Sequence, residues 1–127
     1  MTTAEQTRER LKDLMDRFRR AEEELVKAAE EIHQQILAEL MESFPNSEFY
    51  FRPNEGDRWA DAGFGSIVVK IAPAASAEPV ESRVLDLLEN VDDVVSVYVK
   101  SELSERDQHS QILKSPEDLR KVFYRPS

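Results

Sequence analysis

Apolar residues recur along the first third of the chain with helical rather than strand spacing. Leu11, Leu14, Phe18, Ala21, Leu25, Ala28 and Ile32 step by alternating threes and fours, the spacing of a coiled-coil seam. Met15, Ala29, Ile36, Leu37, Leu40, Met41 and Phe44 widen that stripe toward its C-terminal end. No Gly or Pro interrupts the run before Pro45, and the good helix formers Glu, Lys, Arg, Ala and Leu dominate it. The pattern predicts one amphipathic helix from Thr3 to Phe44, a rod of about 60 Å.

Such a rod is longer than a domain of this size can cover. Its narrow first half is therefore expected to meet another helix, and its broad second half to pack on the chain's own core. A second copy is the favoured mate, with Leu11, Leu14, Phe18 and Leu25 as the dimer seam. A helix folded back on its own domain, or one paired with a different protein, fits the same spacing. Residues 1–127 then form a single domain, with 1–21 a projecting oligomerisation segment and 45–127 an α+β core.

Beyond the helix the period changes. Pro45 with Asn46 and Ser47 stops it, and Glu48 to Arg52 reads as an aromatic strand closed by Pro53. Phe64 to Ala72 reads as a second strand with Ile67, Val69 and Ile71 on one face, near enough to the first for an antiparallel hairpin. Val80, Val84, Leu87, Leu88 and Val91 return to helical spacing, and Asp93 to Leu103 follows as a third strand. Strand, helix, strand in that order predicts a right-handed parallel crossover. Ser115, Pro116, Glu117 and Asp118 open a last helix carrying Leu119, Val122 and Phe123. The expected fold is α+β: a long helix, then a three-stranded sheet in β-β-α-β-α order with helices on one face, compatible with a ferredoxin-like sheet lacking its first strand.

Charge divides the long helix. Between Arg8 and Arg20 stand six bases against three acids; from Glu22 to Glu42 there are seven acids and Lys27 alone. The whole chain of 127 residues carries a formal charge of -9, which opposes binding to nucleic-acid backbones or anionic membranes except where bases are segregated. Arg17, Arg19 and Arg20 are the candidate nucleic-acid contacts. Glu22, Glu23, Glu30 and Glu31 are the candidate face toward a basic protein, an arrangement that speeds association and confers specificity. Within the helix, Glu9, Asp13 and Asp16 stand where they can neutralise several of the bases.

Candidate chemistry is sparse. The absence of cysteine removes disulfides, thiolate nucleophiles and cysteine metal sites; with a start that lacks the basic and apolar regions of a signal peptide, this fits a cytoplasmic protein. Glu55, Asp57 and Asp61 lie in one connection beside Arg58 and Trp59, but their spacing matches no calcium loop, and a solvated turn is expected there. Trp59, with Arg58 and Asp57, is a candidate partner-binding anchor because Trp is enriched at interface hot spots. Gly63-Phe64-Gly65 lacks the phosphate-loop pattern. His33 and His109 show no metal or nucleophile spacing, and a solvated or helix-surface position is expected for both. No catalytic residue, cofactor or metal is expected. The leading expectation is a non-enzymatic, dimeric, acidic adaptor or inhibitor binding a basic protein surface. The alternatives are a dimeric nucleic-acid-binding or regulatory protein using the basic helix start, and a small enzyme or ligand sensor at the Glu55 to Asp61 loop.

Overall fold

The computed structural model describes residues 3–54 and 63–124. The first helix, α1, runs from Ala4 to Ser43. Thr3 caps it with a reciprocal pair of bonds: the Gln6 N–H donates to Thr3 Oγ1 at 3.2 Å, and the Thr3 N–H donates to Gln6 Oε1 at 2.9 Å. At the other end the Phe44 N–H still reaches the Leu40 carbonyl, at 2.9 Å, before Pro45 ends the run.

The sheet has four strands, one more than the period of the sequence indicates: β1 (Glu48–Pro53), β2 (Gly65–Lys70), β3 (Ser96–Lys100) and β4 (Gln111–Leu113), in spatial order β3-β2-β1-β4. The extra strand is only three residues long, too short for alternation to show. The hairpin of β1 and β2 is antiparallel, and helix α2 (Glu78–Leu88) carries the chain to β3, parallel to β2. With no strand between β2 and β3 the crossover is contiguous, unlike the split unit of ferredoxin-like sheets. The predicted last helix is a 3-10 turn (Pro116–Asp118) running into one short turn, α3 (Leu119–Val122).

Strand alternation assigns the two faces. Phe49 and Phe51, Ile67 and Val69, and Leu113 point toward α1 and are buried together with Val26, Leu37 and Leu40 of that helix, Val80 and Val84 of α2, and Leu119 and Phe123. Gly65 is the tight point of this layer. Its φ is +120°, and a Cβ there would stand 2.7 Å from Phe51 Cε2 and 2.8 Å from the Arg52 carbonyl oxygen, so only glycine lets β1 and β2 close.

The opposite face carries Tyr50 and Arg52, Val68, and Tyr98 and Lys100. The connection from β3 to β4 must return across it, because the two strands are parallel and lie at opposite edges. Val68 is consequently fully buried although it points away from the helices.

Candidate interaction surface

α1 changes character along its length. Every residue from Thr3 to Ala21 is exposed, and the first buried one is Val26. The core takes only the second half, through Val26, Ala29, His33, Ile36, Leu37 and Leu40. More than twenty residues of helix, a length of about 30 Å, therefore project past the domain.

That arm is not polar all round. Leu11 is 58% exposed, Leu14 40%, Met15 46%, Phe18 51% and Leu25 46%. They line one stripe, continued by the exposed Ala21 and Ala28 and the half-buried Ile32. Large apolar side chains concentrated on one helical face mark an interaction surface. Short isolated helices are marginal in water, and these five side chains remain substantially exposed on the arm.

The charged candidates fall on the same helix. Arg8, Arg10, Lys12, Arg17, Arg19 and Arg20 are all exposed, with Arg20 Nε donating to the Asp16 carbonyl at 3.4 Å. Glu23 and Glu31 are exposed and Glu22 is half-buried. Glu30, by contrast, is buried against its own domain, with Arg120 Nε 4.0 Å from its carboxylate, and so is not on the outward acidic face. Trp59, Arg58 and Asp57, like Glu55 and Asp61, lie outside the described residues.

His33 is not on the helix surface: it is wholly buried, its ring meeting Phe51, Phe64 and Phe123 edge-on, with centroids 6.3, 6.2 and 4.9 Å away. Nδ1 lies 2.7 Å from the Ala29 carbonyl oxygen, which can only accept, so Nδ1 carries the proton and Nε2 is the bare nitrogen. Nε2 is buried with no hydrogen-bond partner. Burial, only partly offset by the bond to Ala29, pushes the imidazole below its ordinary 6.5 and keeps it neutral. Helical spacing puts His33 in line with Val26 and Leu37, but that alignment shows only once the domain-facing stripe is separated from the seam.

A second polar centre, with no signal in the spacing of the sequence's charged residues, lies on the outer sheet face. Asp107, in a 3-10 turn (Glu105–Asp107) of the returning connection, is buried. Its Oδ2 accepts from Lys100 Nζ at 2.8 Å, the Ser104 N–H at 2.8 Å and the Ser104 hydroxyl at 2.9 Å, while Arg52 Nη1 stands 3.7 Å from Oδ1 and the Arg52 Cζ lies 5.0 Å from the centre of the Tyr98 ring. Burial alone would raise this carboxyl, yet the bonds from Lys100 and Ser104 outweigh it and hold it at about 2. Oδ2 takes all the hydrogen bonds, while the buried Oδ1 has no hydrogen-bond partner and only the charge of Arg52 at 3.7 Å; the cluster reads as a clamp fixing the connection to the sheet. Ser104 with Asp107 three residues on is a cap signature that could have flagged it.

Beside the β4 edge, Met41, Pro45, Phe49, Ile112 and Lys114 line an open groove of about 370 Å³. Among the described residues there is no cluster of three or more His, Asp or Glu able to hold a metal, and no helix long and apolar enough to cross a membrane. Comparison with protein-family models, curated proteins and solved structures gives no match.

Proposed function

We propose that this protein is a non-enzymatic interaction module that associates with a second copy through α1 and presents its acidic surfaces to a basic protein partner, as an adaptor or antagonist. The observation that carries this reading is the apolar stripe of Leu11, Leu14, Met15, Phe18 and Leu25, exposed along a helix that has left its own domain. Covering those five half-exposed side chains on each of two chains is worth on the order of 10 kcal/mol. Association itself costs about 4 to 15 kcal/mol. The pairing is thus marginal on apolar burial alone, and the charges beside the stripe decide its strength.

The acidic half of the reading rests on the net charge of -9 and on the run of Glu22, Glu23, Glu24 and Glu31. A second reading, a regulatory nucleic-acid binder, is favoured by the exposure of all six bases between Arg8 and Lys12 and between Arg17 and Arg20. Salt separates the two: duplex DNA binding that falls steeply with salt and is lost when Arg17, Arg19 and Arg20 become Gln would establish the second.

Hydrogen exchange along α1 tests the first. A paired arm protects the amides from Arg8 to Leu25 at high protein concentration and releases them on dilution, whereas a lone arm exchanges freely at every concentration. Free exchange throughout would end this reading.

A further inference from the structure

Resting on the dimeric reading, we propose that two copies pair antiparallel along α1, about an axis passing between Arg19 and Arg20. The seam divides into two heptad positions, with Leu11, Phe18, Leu25 and Ile32 at one (a) and Leu14, Ala21 and Ala28 at the other (d). The flanking g position is occupied in succession by Arg10, Arg17, Glu24 and Glu31. Sign reverses at the middle of the helix, and that reversal specifies a direction.

In a parallel pair each seam residue meets its own copy. Phe18 would stack on Phe18 while Ala21 and Ala28 faced their equivalents, leaving a crowded layer between loose ones. Antiparallel pairing brings each a position opposite a d position. With the axis between Arg19 and Arg20, Phe18 faces Ala21, Leu11 faces Ala28 and Leu14 faces Leu25, so the phenylalanine meets an alanine and no layer sets two aromatics or two alanines together. The same alignment sets Arg17 beside the partner copy's Glu24 and Arg10 beside its Glu31. Symmetry doubles each, giving four ion pairs between the chains. Sliding the pair by one heptad in either direction puts Arg17 against Arg17 or Glu24 against Glu24 at the axis. Charge therefore fixes register as well as direction.

The domain leaves room for this arrangement. Leu25, Ala28, Glu24 and Glu31 are exposed although they lie level with the start of the core. At about 100° per residue, the g positions fall on the side of α1 opposite Val26, His33 and Leu37, which face the domain. The alignment sets the partner's first helical residue, Ala4, level with Gln35, which is exposed. One turn further on, the helix is occupied by its own chain, where Arg83 of α2 meets Glu39 at 3.2 Å. The open length ends about where the partner helix begins. A strip about 48 Å long and 10 Å wide on each chain gives about 1,000 Å² over the two chains together, the lower bound for a specific pair. This pairing also sets the basic arm of each copy against the acidic stretch of the other, which lowers the positive charge left for nucleic acid and engages Glu24 and Glu31, so that on α1 a basic partner would meet Glu22 and Glu23.

The chain has no cysteine, so introduced thiols report on pairing without background. Leu14→Cys and Leu25→Cys, both at exposed positions, are oxidised mildly, alone and as an equimolar mixture, and separated without reductant. The antiparallel pair predicts a cross-linked dimer in the mixture and little with either variant alone. Cross-linking of each variant with itself would overturn the inference while leaving the dimer intact; a dimeric mass with no cross-link in the mixture would overturn the register. A monomeric mass at every concentration would remove the dimeric reading itself. In parallel, Arg17→Glu should weaken the dimer about tenfold, and adding Glu24→Arg should restore it to within about threefold, since the swapped charges face each other again. Failure of the second change to rescue the first contradicts the predicted contact.

Discussion

Replacing Asp107 by Asn keeps the side chain's size and removes its charge from beneath Lys100 and Arg52. The carboxyl is held at about 2 against an ordinary 3.8, which corresponds to at most about 2.5 kcal/mol of stability at neutral pH. The group is covered by its own partners rather than by depth of protein, with Lys100 and Arg52 themselves about a quarter exposed. Solvent screening at so shallow a site reduces the expected loss to about 1 to 2 kcal/mol. For a chain of this length the midpoint of thermal unfolding should fall by about 4 to 7 °C at pH 7. A lowered acid contributes stability above its unfolded value and loses it as pH falls through the folded value. The gap between wild type and Asp107→Asn should therefore be full above pH 4 and shrink toward pH 2. Thermal melts followed by circular dichroism across that range measure it. Equal midpoints at pH 7, or a gap undiminished at pH 2, would refute the clamp.

Three further outcomes follow from the core and the arm. His33 is held neutral by burial below its ordinary 6.5, so the unfolded chain binds its proton first; stability is full above pH 6.5 and declines as pH falls below it. Denaturant melts at pH 7.5 and 5.5 should show that decline in wild type and a much smaller one in His33→Gln. Gly65→Ala forces a Cβ against Phe51 and the Arg52 carbonyl at a left-handed φ and should cost about 3 kcal/mol in urea unfolding; a loss under 1 kcal/mol would show that the hairpin yields instead. Among the described residues, removing those before Glu22 deletes only exposed ones, and the remainder should unfold cooperatively as a monomer, with a midpoint independent of protein concentration. A truncated chain without a cooperative transition would mean that the arm belongs to the core.

The long helix was legible because its signal is repeated. Seven seam positions and an uninterrupted run of helix formers mark it, and Ala4–Ser43 falls within one residue of the expected bounds. β1, β2, α2 and β3 are legible too, since each turns an apolar face to the helix layer with the period of its element, although β2 buries Val68 on its other face as well. β4 is not, because three residues between two 3-10 turns carry no period. Asp107 was hidden for a different reason: its partners Lys100 and Arg52 are remote or separated by loops, and only the sheet brings them together. His33 is buried where the sequence predicts a surface position, because two apolar stripes share the second half of α1. The seam through Leu25 and Ile32 drew the eye, while the core stripe through Val26, His33 and Leu37 ran beside it. Polarity alone could not show that the imidazole is enclosed by three phenylalanines from β1, the start of β2 and the C-terminal turn.

Glu30 teaches the same lesson on the acidic side. A run of glutamates reads as one solvated face, yet a helix distributes adjacent residues around its circumference. Glu31 and Glu24 face solvent, while Glu30 turns to Arg120. Which acids are free for a partner is set by the orientation of α1 on the sheet rather than by their number.

The central claim is that the exposed stripe on α1 binds a second copy of the chain. Light scattering measures this directly, as absolute mass over a hundredfold range of protein concentration, for wild type and for the paired substitutions Phe18→Ser and Leu25→Ser. Both residues are about half exposed, so folding of the domain should be unaffected. Wild type should have twice the chain mass at the upper concentrations, and the substituted protein the mass of a single chain throughout. Wild type at the mass of a single chain over the whole range would contradict it.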